Sequence, residues 1–286
     1  MSVVINTNIP SISASRALYS TRQDLEQAME RLSSGKRING AKDDAAGMSV
    51  VTRMKAQISS LNQAVRNAND GISLVSTFDG AADEIEDILI RMRELATLVQ
   101  NGTYTESDDS NANLEFRALN SEITRIQEKT KFNGSLDVAS TGTQTYSFQV
   151  GFNGGDAVSI AFGSLNASTL ATVDLGSSTL DLAGGADKAA NIATASAAVT
   201  KLDVALSNLN VHRATAGAVI NRLEHTVSNL MNVVQRTEEA RSRIEDADFA
   251  AESAAMARAN VLVQAGSAML AQANQSPQYV LALLRG

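Results

Sequence analysis

Residues 199–237 read VTKLDVALSNLNVHRATAGAVINRLEHTVSNLMNVVQRT. Positions 199, 202, 206, 209, 213, 216, 220, 223, 227, 230, 234 and 237 alternate steps of three and four without a break, and all are apolar except Arg213 and Thr237. Such spacing keeps one stripe on one face of a long helix, the pattern of coiled-coil packing. A stripe of that length needs a partner of similar length.

Residues 58–99 supply one. Apolar side chains fall at 58, 61, 65, 68, 72, 75, 78, 82, 85, 89, 92, 96 and 99, with a single repeated step of three at Phe78, a stammer in the heptad. A helix over this range is roughly 60 Å long at about 1.5 Å per residue, far beyond an ordinary globular helix. Asn101-Gly102-Thr103 breaks it. A second helix, Ser107 to Lys129, folds back with Leu114, Leu119, Ile123 and Ile126 inward and ends at Phe132-Asn133-Gly134.

Between these helical regions the composition shifts. No Lys or Arg lies between Lys131 and Lys188, and nine of the 18 glycines do. Tyr146–Val150 and Ala157–Phe162 alternate with period two around Asn153-Gly154-Gly155-Asp156, which predicts a β-hairpin. Residues 171–187 read as an exposed loop. The hairpin and loop form an insertion at about 138–188.

The two ends are alike. Ala259–Leu284 holds 26 residues, and Met1–Ser15 holds 15, without one charged side chain. Ile5, Ile9 and Ile12 lead into Leu18, Leu25, Met29 and Leu32, an amphipathic helix that Ser33-Ser34-Gly35 ends. Asn39-Gly40 marks a turn, and Asp43-Asp44 is set to cap a following short helix through a carboxylate. The register fades through Arg241–Asp248. Phe249, Met256, Val263 and Leu270 then begin a new seven-residue repeat that Pro277 interrupts. Neither end is apolar enough for a membrane anchor, and neither has the charged face of a solvated surface helix. Each needs a partner, and the nearest candidates are each other and further copies. Small residues at 259, 265, 266 and 268 suit close helix approach between copies.

Composition narrows the function. The net charge is −7, with 19% charged residues, which argues against nucleic acid as a partner. No run of 18 apolar residues forms a membrane span, and Met1–Pro10 lacks the basic region and apolar core of a secretory signal. Without cysteine there are no disulfides or thiolate metal sites. His212 and His225 lack metal-pair spacing and read as surface or rim residues, and Asp83, Glu84, Glu86 and Asp87 read as a solvated face. Gly151–Gly155 is a turn, not a phosphate loop. Asn101, Asn133 and Asn166 begin Asn-X-Ser/Thr triplets, read as turns. No nucleophile stands with a base, so no catalytic, cofactor or metal site is expected. The architecture is mainly α, a long-helix coiled-coil bundle with a small β-hairpin region. The termini are expected to pair in one layer over 1–45 and 243–286, with the bundle over 46–242. Identical copies that pack without closing a ring build a helical filament.

Both ends also resemble bacterial flagellin. The motifs are INTN (Ile5–Asn8), LSSGKRIN (Leu32–Asn39), AKDDAAG (Ala41–Gly47), NDGIS (Asn69–Ser73), RELA (Arg93–Ala96) and FNG (Phe132–Gly134). At the other end stand RSRIEDADF (Arg241–Phe249), QAG (Gln264–Gly266), LAQANQ (Leu270–Gln275) and LLR (Leu283–Arg285). The resemblance covers about 1–135 and 195–285. It implies a structural subunit of the flagellar filament, serving swimming motility, short enough to lack large outer domains and with the terminal layer as the inner one. It implies export without a cleaved signal through the flagellar type III apparatus, with an export chaperone, and hook-associated junction and cap proteins as partners. A hook–filament junction adaptor is the alternative, and a peptidase carried in the insertion is a further one that 138–188 is too short to hold. Self-assembly is expected to rest on Ile9, Leu18, Leu25, Leu32, Phe249, Met256, Val263, Leu270, Leu283 and Leu284. The resemblance further implies that Arg91, Leu95 and Glu115 touch a neighbouring subunit and the vertebrate receptor that senses flagellin. Ile90 stands where well-studied recognised members carry Gln.

Overall fold

Asn8 caps the first helix among the described residues, because its side-chain oxygen accepts the backbone N–H of Ser11 (3.1 Å) and Pro10 needs no donor partner there. This helix, α1 (Ile9–Ser34), ends where Gly35 turns left-handed at φ 69°. The two aspartates that follow divide the work. Asp43 Oδ2 accepts the N–H groups of Asn39 (3.1 Å) and Gly40 (3.0 Å), closing the turn. Asp44 Oδ1 accepts the N–H of Gly47 (2.8 Å) and so caps α2 (Ala45–Val99). Gly47 has to be glycine, since a Cβ would collide with that capping carboxylate and lie 2.8 Å from Ile38 Cδ1.

The short helix expected after Asp44 and the long one expected from 58 are one helix of 55 residues. Nothing between 45 and 58 breaks it, and the stripe simply begins before the regular heptad does. Helix α3 (Glu106–Lys129) opens with a reciprocal box in which Thr105 and Asp108 satisfy each other's backbone. Its core residues are Phe116 and Ile123, with Leu119 and Ile126 packed beside them, whereas Leu114 points outward. Two short antiparallel pairs follow: β1 (Lys131–Phe132) with β2 (Leu136–Asp137), around Asn133 and Gly134 at positive φ, and then β3 (Gln144–Gln149) with β4 (Ala157–Phe162). The second pair is the expected hairpin, in register Tyr146 to Ile160 and Phe148 to Val158. Helices α4 (Lys188–Glu245) and α5 (Phe249–Arg285) complete the chain. The computed structural model describes residues 7–134, 136–137, 144–162, 182 and 188–285, and the side chains of 136, 137, 144, 162 and 276–285 lie outside that description. So do Asn166 and nearly all of the 171–187 loop.

The chain forms two compact units, residues 59–234 and residues 1–58 with 235–286. The division falls inside α2 and α4, farther from the ends than the expected 45 and 243. Lys55 on α2 belongs to the terminal unit, where its Nζ sits 2.7 Å from Glu245. In the 59–234 unit the stripes of α2 and α4 meet, and Phe78, Ile85, Leu89, Met92, Phe116 and Leu223 are fully buried together. Gly71 admits Leu223 and Phe148 against the α2 backbone, because a Cβ there would lie 3.2 Å from Leu223 Cδ1.

Arg213 occupies an otherwise apolar position of the α4 stripe. Its guanidinium bonds Asp79 (3.1 Å), Asp83 (2.9 Å) and Glu86 on α2. The acidic cluster read as a solvated face is therefore partly a cradle: Asp83 and Glu86 answer a charge in the seam, as a desolvated cation requires. The bond to Glu86 above all holds Arg213 charged against the cost of burial.

Candidate self-assembly site

Helices α1 and α5 lie antiparallel against each other in the terminal unit. Asn8 Nδ2 donates to the Ala273 carbonyl (2.8 Å) and Ser11 Oγ to Asn274 Oδ1 (2.7 Å) near one end, while Arg31 pairs with Glu252 (3.1 Å) near the other. Leu18, Ala28 and Ala259 are buried between the helices, and Leu25, Leu32, Met256, Val263 and Leu270 are half-buried. Gly266 brings α5 close, since a Cβ there would lie 3.2 Å from Leu18 Cδ1. Of the four small residues at 259, 265, 266 and 268, two thus serve contact within the chain, and only Ala265 and Ala268 stay exposed.

A clasp closes the base of the pair. Arg37 N–H donates to the Glu245 carbonyl (2.7 Å), Ala247 N–H to the Gly35 carbonyl (3.0 Å), and the Arg37 guanidinium to the Ile244 carbonyl (2.7 Å). The buried Glu245 carboxylate accepts from Lys55 (2.7 Å) and lies 3.2 Å from Lys36 Nζ. Burial favours the neutral acid, but Lys55 and Lys36 outweigh it and hold Glu245 below the usual glutamate value.

Outside this seam the pair presents apolar side chains to solvent. Ile9 is 62% exposed, Tyr19 66%, Val261 65%, Met269 66% and Phe249 68%, and Ile12 and Leu262 are exposed beside them. The expected assembly residues therefore divide. Ile9 and Phe249 face outward, while Leu18, Leu25, Leu32, Met256, Val263 and Leu270 hold α1 and α5 of one chain together. Leu283 and Leu284 lie in α5, but their side chains are outside the described residues. The outward apolar side chains outside the expected set are Tyr19, Val261, Leu262 and Met269, and Ile12 and Met29, on the same predicted stripe as Leu18 and Leu25, are exposed as well. Their signal was a second seven-residue spacing, 12 to 19 and 262 to 269, running beside the first.

Arg91 and Glu115 meet on the surface of the 59–234 unit, with Arg91 Nε 2.8 Å from Glu115 Oε1 and its Nη1 2.9 Å from Glu94. Ile90 and Leu114, their sequence neighbours, are exposed. Leu95 is not part of that surface; at 4% exposure it belongs to the core.

His212 is half-buried beside Phe78 and Ile160, where burial lowers its pKa, and His225 is exposed. Among the described residues no group of three or more His, Cys, Asp or Glu side chains is placed to hold a metal ion, and no helix is long and apolar enough to cross a membrane.

A long-helix bundle joined to a helical pair with an uncovered apolar face defines a structural subunit that associates with others. A model of the bacterial flagellin N-terminal helical region matches residues 5–137, and one of the bacterial flagellin C-terminal helical region matches residues 199–284. Flagellin of Halalkalibacterium halodurans is 43% identical over 283 residues, covering 99% of this chain and 100% of that one. Flagellin of Bacillus subtilis is 39% identical over 302 residues, covering 98% and 99%. The chain belongs to the bacterial flagellins and is a structural subunit of the flagellar filament. A structure from Vibrio parahaemolyticus described as a flagellar hook-associated protein shares the fold at a TM-score of 0.59, covering 71% of this chain and 100% of that one. At 14% identity this likeness concerns the fold alone, and nothing in it favours the junction-adaptor alternative.

Proposed function

We propose that the α1–α5 pair is the element through which copies of this chain polymerise, and that it forms the inner part of the filament. The observation that carries this reading is the apolar surface of Ile9, Ile12, Tyr19, Phe249, Val261, Leu262 and Met269 on a pair only two helices deep. A monomer gains nothing by exposing so much apolar area, whereas a neighbouring copy that covers it removes it from water. In this reading Leu18, Leu25, Leu32, Met256, Val263 and Leu270 act indirectly, by fixing the pair that presents the surface. Leu283 and Leu284, further along α5, belong to the same assembly element in this reading.

The same reading places the subunit outside the cell, exported by the flagellar type III apparatus without a cleaved signal and escorted by an export chaperone that shields the apolar ends. Hook-associated junction and cap proteins meet the filament's two ends. The surface around Arg91 and Glu115 contacts a neighbouring subunit and the vertebrate receptor that senses flagellin, and Leu95 supports it from beneath.

Deletion of 259–286 tests the central claim. Purified monomer added to filament fragments at micromolar concentration elongates them. The truncated chain keeps the helical circular dichroism of its 59–234 unit but adds no length. Filament growth by the truncated chain would remove the proposal.

A further inference from the structure

Helix α5 continues through Pro277, where the sequence reading had it interrupted. Proline has no N–H, so the carbonyl four residues earlier, Ala273, loses its helical donor. That carbonyl is the one Asn8 Nδ2 reaches, at 2.8 Å. At the same time Asn8 Oδ1 accepts the N–H of Ser11 and caps α1. One amide therefore completes two helices, its acceptor half serving α1 and its donor half serving α5.

We propose that Asn8 and Pro277 form a register pin, which fixes how α1 and α5 pair and so makes the polymerising surface a single surface. This rests on the reading of the α1–α5 pair as the assembly element. The need for a pin follows from the repeats. Leu18, Leu25 and Leu32 on one helix and Met256, Val263 and Leu270 on the other recur every seven residues. Two such stripes slide past each other by one heptad with little loss of apolar contact, and polar contacts are what choose among registers. Arg31 with Glu252 is one such contact, a flexible pair of long side chains; the backbone clasp holds the end of the pair opposite Asn8, and Ser11 with Asn274 joins two side chains beside Asn8. The Ala273 carbonyl is a better marker because an intact helix interior offers no free carbonyls, and Pro277 frees this one. Only two prolines occur in the chain, and the other, Pro10, lies in the first turn of α1, where no donor is missing.

The pin matters most in the polymer. In the monomer the site is only part-buried, so water can replace the Asn8 amide. Once neighbours cover the pair, an unmet Ala273 carbonyl carries its full desolvation penalty.

A double-mutant cycle on the full chain tests this. Asn8→Ser keeps a capping oxygen but has no amide to reach Ala273. Pro277→Ala returns the missing N–H to α5. The single N8S change is expected to leave the monomer's thermal midpoint unmoved and to raise the critical concentration for seeded elongation about tenfold. In the P277A background the same N8S change is expected to raise it less than about twofold, because the carbonyl already has its donor. Equal effects of N8S in both backgrounds overturn the pin, as does an N8S chain that elongates normally. Failure of the unaltered chain to elongate overturns the underlying assembly reading instead, which keeps the two outcomes apart.

Discussion

Leu223 and Met269 sit on helices of similar design, yet the first is wholly buried and the second is two-thirds exposed. In residues 59–234 each apolar stripe finds its partner within the chain: α2 against α4, with α3 and the β3–β4 hairpin covering the remainder. In the terminal unit α1 and α5 cover only one face of each other. The difference is one of layers. A pair of helices can bury a seam, but a helix with two apolar faces needs neighbours on both. One unit therefore buries its stripes within the chain, and the other leaves Ile9, Tyr19, Val261 and Met269 exposed, which is what the proposed assembly would cover.

The sharpest way to break this comparison is to damage the finished unit. Leu223→Asp places an unpaired carboxylate in the α2–α4 seam beside Gly71, where nothing can solvate it. A loss of about 4 kcal/mol or more is expected, read as a fall in the urea midpoint of unfolding. A chain that tolerates this change would show that the seam is not a dry core. Leu95→Ala comes next. Its side chain is buried, so truncation leaves a cavity, and a loss of about 2–4 kcal/mol is expected in the same measurement. If the loss is negligible, Leu95 belongs with Arg91 on the surface after all.

How far the sequence carried depended on whether a feature was periodic. The stripes at 58–99 and 199–237, the hairpin around Asn153–Asp156 and the end of α1 at Gly35 were legible because each follows from local spacing or turn chemistry. Periodicity says which residues share a face. It does not say which of two faces is covered within the chain, and so Leu18 and Met269 could not be told apart in role. The Arg213 cradle was half legible: a charge in a heptad core position demands partners, and Asp79, Asp83 and Glu86 lay at helical spacing on the opposing helix. Leu114, expected inward, is exposed, and Phe116, two residues on and larger, takes the seam. Pro277 reads as a break from local sequence because the Asn8 amide that donates to the Ala273 carbonyl lies at the other end of the chain.

A smaller effect sharpens the account of the terminal unit. Glu245→Gln keeps the shape of the clasp and removes its charge. With Lys55 and Lys36 beside it, the folded pKa of Glu245 lies below the ordinary glutamate value of 4.5. The sign follows from that depression: the charged clasp stabilises fully above about pH 4.5 and is lost as pH falls through the lower folded value. At pH 7 the variant is expected to be less stable by about 1–2 kcal/mol. The gap from the unaltered chain should close as the pH falls through that lower folded value. Hydrogen exchange of the α1 and α5 amides reads this locally, without contribution from the 59–234 core. A gap that persists at low pH would assign the effect to packing and not to charge.

The smallest stability effect belongs to Arg91, and that is what makes it informative. Its bonds to Glu115 and Glu94 join exposed side chains, and water replaces such pairs at almost no cost. Arg91→Ala is therefore expected to leave the unfolding midpoint where it was, in contrast to Leu95→Ala four residues along the same helix. With folding untouched, any slowing of seeded elongation, or any weakening of binding to the purified receptor ectodomain, reports a contact made by that surface. Arg91→Lys separates the two ways a guanidinium can act there. It retains the charge but cannot form the two-pronged bond, so a variant that behaves like the unaltered chain assigns the contact to charge, and one that behaves like Arg91→Ala assigns it to geometry. Normal elongation and normal receptor binding by Arg91→Ala together would reduce this surface to an ordinary solvated ion pair.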